Sequence, residues 1–333
     1  MEITCLVKNS FIAQIPSVEP VPKGIARPLW SVMIPTYNPG KYLRRTLQSV
    51  LSQDRGPELM EIAVVDNCSR EDDPESLVRA VSGGRVSFYR HPKNEGLIAN
   101  FNACIERSRG HLIHILHSDD YVLPEFYAEI ERLAKLHADV ALLATRCFIV
   151  DEDEIITAVT ERIQELENCG RSAEAFYYET PMRFPGVVIR RNFFEIHGGF
   201  MPSLVHVADR ELWARAVSLR GGVISSKLLA CYRACASNDT SRVARSGENV
   251  RDMLRLKEIF RDRYPRFSSD RARHSAAYMA FKQARRFRAI NDVDSAKRNW
   301  DLWLQNCSWP DRLKEALRLR VRRLSGRDKW YDE

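Results

Sequence analysis

The sequence lacks the signatures of several common functions. Its eight cysteines (Cys5, Cys68, Cys104, Cys147, Cys169, Cys231, Cys235 and Cys307) include no CxxC, and the close pair Cys231 and Cys235 has no second pair to complete a zinc site. Scattered thiols of this kind suit a reducing, cytosolic compartment. No segment reaches the ~18 apolar residues of a membrane span, and the opening MEITCLVKNSFIAQIPSVEPVPKGIARPLW has no cationic start followed by a long apolar run. A soluble, cytoplasmic protein is therefore expected. There is no GxxxxGKS or GxxxxGKT, no GxGxxG after a strand, no HExxH and no GxSxG. The phosphate-loop, dinucleotide, zinc-protease and serine-hydrolase readings thus have no support. Internal repeats and low-complexity tracts are also missing.

What is present is a chain of 333 residues, 44% hydrophobic, enough for one large α/β domain or two ordinary ones. The formal charge of +7 suits phosphorylated ligands, nucleic acid or anionic lipid alike. No aromatic and basic interleaving on a recognised module supports a nucleic-acid partner.

Residues 1–29 carry four prolines and little periodicity, and read as an N-terminal arm. From Trp30 onward strands and helices alternate. WSVMIPTYN is an apolar run ending in a turn, YLRRTLQSVLSQ places Leu43, Leu47, Val50 and Leu51 at helical spacing, and EIAVVD is a second buried strand. VSFYRH, then the helix GLIANFNACIERSRG closed by Gly110, then the strand HLIHILH continue the series, and a helix follows Pro124. ALLATRCFIV, GVVIRR and VISSKLLACYR read as further strands, with DRELWARAVSLRGG as a helix stopped by glycine. This succession predicts an α/β fold with a mainly parallel sheet and flanking helices, over residues 30–240. Residues 241–333 change character to helical segments rich in Arg, Lys and aromatics, a C-terminal helical appendage.

In open sheets of this kind ligands sit beyond the carboxyl ends of the strands, where Asn38, Asp66 and the pair Asp119 and Asp120 all fall. Two adjacent carboxylates repel in a partly dry site, so they need open water or a cation. One reading is a solvated turn with an acid favouring the next helix. The other is a hard-oxygen site for Mg²⁺ or Mn²⁺, with substrate phosphates completing the shell. His111, His114 and His117 stand three apart on a strand and alternate faces, which argues against one shared zinc site.

The ordered blocks WSVMIPTYN, EIAVVDNCS, NEGLIANFNACIERSRG, LHSDD, GVVIRRNFFEIHGGF and ADRELWARA make residues 30–240 resemble glycosyltransferase family 2. The resemblance implies a GT-A, Rossmann-like fold, a nucleotide-diphosphate sugar donor and transfer to an acceptor hydroxyl with inversion. It places Pro35, Thr36, Tyr37 and Asn38 against the nucleoside, Asp66 and Asn67 at base or ribose, and Asn94 and Gly96 at the pocket's border, beside Lys93. Ser118 and Asp119 would face the ribose or metal, Asp120 would bind the Mn²⁺ or Mg²⁺, and Asp209 would be the catalytic base. Asp66 could instead cap a turn and Asp209 its helix. Three departures stand out. Asn67 replaces a second acid, His117 a third acid two before Asp119, and Cys235 a histidine linked to metal or diphosphate; His206 could stand in for the last. Glu211 reads as an assistant or as first-turn charge, and Arg190 and Arg191 as phosphate-neutralising or, preferably, exposed.

The acceptor class implied is a glycan or lipid-linked precursor of a cell-envelope or secreted polysaccharide. Leu313, Leu317, Val321 and Leu324 form a stripe among arginines, which either packs on its own domain or makes peripheral contact with anionic membrane on its inner face. Two rival readings are a nucleotidyltransferase, which would need an activating lysine or a glycine-rich loop that the chain lacks, and a non-catalytic nucleotide-sugar-binding scaffold.

Overall fold

A computed structural model describes residues 15–162, 173–179, 182–234 and 239–313. They form two compact units, divided after residue 238. In the first unit the elements run β1 (Trp30–Thr36), α1 (Leu43–Leu51), β2 (Met60–Asp66), α2 (Pro74–Ser82), β3 (Ser87–Arg90), α3 (Leu97–Arg107), β4 (Leu112–Ile115), β5 (Tyr121–Val122) and α4 (Phe126–Leu136). They continue with β6 (Leu142–Val150), β7 (Ile156–Val159), α5 (Ala175–Tyr178), β8 (Val187–Arg190), α6 (Arg191–His197), α7 (Ala208–Arg220) and β9 (Gly222–Arg233).

The strands make one sheet in the order β3-β2-β1-β4-β8-β6-β9-β5, with β7 added beside β6. The β3-β2-β1-β4 half is parallel, as expected from its strand-helix alternation. β1 is buried along its whole length because helices cover both faces, which is why it reads as a continuous apolar run. Trp30, Val32 and Ile34 pack with Leu43, Leu47 and Val50 of α1 in the main core. Beyond β4 the sheet is mixed: β8 runs antiparallel to both β4 and β6, whereas β9 returns parallel to β6.

Three local expectations change. Gly110 does not stop α3, whose last helical residue is Arg107. A Cβ at Gly110 would stand 2.6 Å from the backbone of Trp30 and Ser31, so the glycine is required by close approach to β1. Pro124 precedes α4 without opening it, since Glu125 in the left-handed region intervenes. Arg190 and Arg191 are not exposed. Arg190 donates to the carbonyls of Ala134, His137 and Val140, and Arg191, 2% exposed, to those of Ile105 and Glu19. Each satisfies main-chain acceptors at a helix end that would otherwise be buried alone. Within this unit the described part of the arm is anchored by Gly199 N–H donating to the Pro16 carbonyl (3.0 Å).

Glu129 on α4 is 3% exposed and carries a pH-dependent part of the stability. Its carboxylate accepts from Arg132 (2.6 and 2.9 Å) and from Ser225 Oγ of β9 (2.6 Å), with Lys227 Nζ at 3.2 Å. The Arg132 hydrogen bonds, aided by Ser225 and Lys227 against the effect of burial, lower its pKa from 4.5 to about 2. The unfolded chain therefore takes up the proton first. The contribution is complete above the unfolded value and is lost as pH falls toward 2. Glu129→Gln should cost on the order of 2 kcal/mol at pH 7, and urea unfolding should show that difference shrinking by pH 3.

The second unit comprises α8 (Asp239–Ser246), α9 (Glu248–Arg263), α10 (Ser269–Ala289) and α11 (Val293–Asn306). Val250, Ala277, Ala280, Phe281, Leu302 and Trp303 form its core. No helix among the described residues is long and apolar enough to cross a membrane. Of the basic stripe, Leu317, Val321 and Leu324 lie outside the described residues, as does Cys235.

Candidate active site

The acidic pair lies in the turn between β4 and β5, at the carboxyl edge of the parallel strands. Leu116 N–H still donates to Met33 O of β1 (2.9 Å), after which Asp120 N–H closes the turn on His117 O (3.1 Å). Thr46 of α1, fully buried, donates to the carbonyls of Ser118 (3.0 Å) and Asp120 (2.6 Å) and fixes the turn from beneath. From the other side Arg233, the last residue of β9 and 1% exposed, donates Nε to Asp119 O (2.9 Å). The rest of its guanidinium bonds the carbonyls of Asp151 and Glu152 and the carboxylate of Glu154, and lies 4.5 Å above the Tyr42 ring. A lone buried cation would be costly; here each of the three guanidinium nitrogens donates at least one hydrogen bond.

Asp120 is 1% exposed. Its Oδ1 accepts from Arg233 N–H (2.8 Å), while Oδ2 is buried and accepts no hydrogen bond from the described residues. Burial first, then the charge of Asp119, push the Asp120 carboxyl well above the usual carboxylate range, against the pull of Arg233. A nitrogen of His117 and one oxygen each of Asp119 and Asp120 lie within 4.8 Å of one another. Two carboxylates and an imidazole are donors that suit a divalent cation, and the bare Oδ2 supplies a reason for one. The expectation that the three histidines form no common site agrees with this arrangement. His114 is fully buried, its Nε2 3.0 Å from Pro185 O and its Nδ1 3.3 Å from Tyr127 Oη, and burial brings its pKa down to about 3.

The residues that the family resemblance assigns to the nucleoside converge at the ends of β1 and β2. Pro35 and Thr36 finish β1, and Thr36 Oγ1 is buried with no hydrogen bond among the described residues. Tyr37 is 48% exposed. Asn38, at φ +45°, ties the turn to the loop after β2: its Oδ1 accepts from Arg70 N–H (2.9 Å) and Glu71 N–H (3.3 Å), and its own N–H donates to Ser69 Oγ (2.8 Å). Asp66, fully buried, accepts from Ser69 N–H (3.1 Å) and Arg90 Nε (2.7 Å), so it caps the turn after β2. Asn67 Nδ2 donates to Asn94 Oδ1 (2.9 Å), which also accepts from Gly96 N–H (2.9 Å); Glu95 N–H donates to Asn67 Oδ1 (2.9 Å). Gly96, at φ +91°, takes a conformation that glycine favours just before α3. Lys93 pairs with Glu95 at the surface.

Asp209 is half-buried in the first turn of α7, which starts at Ala208 after Val207. It is thus inside the helix and not its N-cap. Its Oδ1 accepts from Arg210 N–H (2.7 Å), and the helix N-terminus favours its negative charge. One turn on, Trp213 lies 6.0 Å from Phe184, whose ring is 4.3 Å from that of His117. Two ring contacts therefore link α7 to the acidic turn. Glu211 is fully buried in a two-bond ion pair with Arg215 (3.0 and 3.1 Å), a structural role. Sequence reasoning missed Thr46, Arg233 and the approach of His117 to the acids. Only His117 left a signal, as a departure at an acidic position.

Comparison with known proteins agrees with this geometry. The Glycosyl transferase family 2 model matches residues 31–196. The uncharacterized protein MT1568 of Mycobacterium tuberculosis is 30% identical over 245 residues, 69% of this chain and 75% of the relative. The uncharacterized glycosyltransferase MJ1057 of Methanocaldococcus jannaschii is 25% identical over 58% of this chain and 66% of its own. Among solved structures, S. aureus TarS 1–349 in complex with UDP-GlcNAc superposes with a TM-score of 0.53 at 16% identity, over 84% of this chain and 93% of that one. The mannosyltransferase PcManGT of Pyrobaculum calidifontis, in complex with GDP-Man and Mn²⁺, gives 0.52 at 17% identity, over 93% and 85%. Of a longer TarS chain this protein spans 43%. The sheet is that of the GT-A fold, and the chain belongs to glycosyltransferase family 2.

Proposed function

We propose that this glycosyltransferase moves a sugar from a nucleotide-diphosphate donor to an acceptor hydroxyl with inversion, residues 30–240 forming the catalytic domain. The observation that carries the reading is the buried Oδ2 of Asp120, bare of hydrogen bonds from the described residues and set beside Asp119 and His117 at the carboxyl edge of the parallel strands. Pro35, Thr36, Tyr37 and Asn38 flank the nucleoside, Asp66 and Asn67 the base or ribose, Asn94 and Gly96 the pocket's border, and Ser118 and Asp119 the ribose and diphosphate. Asp119 and Asp120 would hold a divalent cation, which when bound supplies Lewis acidity toward the departing diphosphate. Asp209 takes the proton from the acceptor hydroxyl as the oxygen attacks the anomeric carbon. The TarS and PcManGT complexes, with UDP-GlcNAc and with GDP-Man and Mn²⁺, support a nucleotide-sugar donor and leave uracil and guanine as the bases to compare.

The similarity to the succinoglycan biosynthesis protein ExoO of Rhizobium meliloti, 33% identical over 111 residues, 33% of this chain and 31% of that one, supports a role in polysaccharide synthesis. The acceptor in this reading is a glycan or lipid-linked precursor, glycosylated on the cytoplasmic side. The test is a panel of UDP- and GDP-sugars with purified protein, Mn²⁺ or Mg²⁺ and glycan acceptors. One donor should release its nucleoside diphosphate with acceptor-dependent kinetics, and NMR of the product should show an inverted anomeric centre. Retention of configuration, or no cation requirement, would remove those parts of the reading.

A further inference from the structure

We propose that His117 is the third ligand of the cation site and tunes it toward Mn²⁺ and the later first-row divalent ions, away from Mg²⁺ and Ca²⁺. The inference rests on the proposed function and adds to it which cation the site selects. Three observations carry it. First, of His111, His114 and His117, only His117 brings a ring nitrogen within 4.8 Å of the carboxylate oxygens of Asp119 and Asp120. Ligands about 2.1 Å from a common ion stand about 3 to 4 Å apart, so small side-chain rotations close this set on one ion. Second, Asp120 Oδ2 is buried and accepts no hydrogen bond from the described residues, an oxygen available at the same place.

Third, the imidazole is held between aromatic rings. Phe101 stacks on it at 5.1 Å and 19°, Phe184 lies 4.3 Å away at 34°, and Phe200 packs against both phenylalanines at 5.4 and 6.0 Å. A ring confined this way loses little freedom when its nitrogen binds, which is the usual means by which surroundings orient a ligating histidine.

The consequence for selectivity follows from donor chemistry. Mg²⁺ and Ca²⁺ take oxygen ligands, and Mg²⁺ gives up its water reluctantly. Imidazole nitrogen instead gains affinity along the series from Mn²⁺ to Cu²⁺. Two carboxylates and one neutral imidazole also carry one negative charge fewer than three carboxylates, which weakens the unselective attraction for any dication.

The test uses the full chain with Mn²⁺ added alone. Electron paramagnetic resonance gives the affinity, and electron spin echo modulation compares unlabelled protein with protein carrying ¹⁵N-histidine. The expected result is a nitrogen coupling that shifts with the label, and displacement of Mn²⁺ by Mg²⁺ only at roughly tenfold or greater excess. His117→Asp should lose the coupling, keep Mn²⁺ and respond to Mg²⁺ at lower excess, whereas His206→Ala should keep the coupling. Mn²⁺ bound with no histidine coupling, displacement by equimolar Mg²⁺, or a Kd weaker than about 1 mM would each overturn the assignment. The spectrum of the unaltered chain decides without relying on any variant folding. Sugar transfer with oxygen ligands alone would leave the proposed function standing and remove His117; nitrogen coupling without turnover of any donor would do the reverse.

Discussion

Replacing Asp209 with Asn should lower kcat by about 10²- to 10⁴-fold and leave donor affinity within about twofold. An acceptor hydroxyl is a weak nucleophile at neutral pH, and it gains strength only when a positioned base takes its proton as the new bond forms. Asn is nearly isosteric with Asp, and its carbonyl oxygen can still accept the Arg210 N–H that orients the side chain. What it loses is basicity. Stability should change by less than about 1 kcal/mol, the ordinary value of a first-turn acid in the field of its helix. The next acid on α7 cannot replace it, because both oxygens of Glu211 are committed to Arg215 in a fully buried pair. Steady-state transfer rates together with donor titration check the prediction. A variant that transfers sugar at the full rate would remove Asp209 from the chemistry.

The parts of the fold that could be read from sequence are those whose burial is apolar and periodic. β1 and β2 are near-continuous apolar runs because helices cover both faces, and Leu43, Leu47 and Val50 fall at helical spacing because α1 turns one face to β1. With the strands placed, their carboxyl ends follow, and so does the position of the acidic turn. Strand direction in the second half of the sheet left no such trace. The four residues of β8 have the same composition in either direction, and only pairing with β4 and β6 makes them antiparallel. Polar burial is illegible for a related reason. Arg190, Arg191 and Arg233 are inside because carbonyls from distant helices, loops and turns need donors, and a one-dimensional pattern records apolar faces but not unsatisfied acceptors. Thr46 is hidden the same way, a hydroxyl on the apolar face of α1 that serves two carbonyls more than seventy residues away.

Replacing Asp120 with Asn should lower transfer by about 10³-fold or more while making the cation-free protein more stable. The native carboxyl is buried, and burial with the neighbouring Asp119 raises its pKa well above the usual carboxylate range. Between the ordinary value and that raised one, the folded state holds a proton that the unfolded chain has released. Folding stability therefore falls as pH rises through this window, and the loss is complete above the raised pKa. Asn carries no charge to bury. Its oxygen can keep the Arg233 N–H. In a domain of this size each kcal/mol is worth about 2–4 °C of Tm, so thermal unfolding in chelator should resolve the difference. The unaltered chain should lose Tm as pH rises above the ordinary carboxylate range and the Asn variant should lose less, ending as the more stable of the two. Added Mn²⁺ should raise only the Tm of the unaltered chain, because bound cation removes the repulsion that the empty site bears. A variant less stable than its parent at every pH would mean that the Asp120 charge already has its partner within the protein, and the case for a cation there would fall with it.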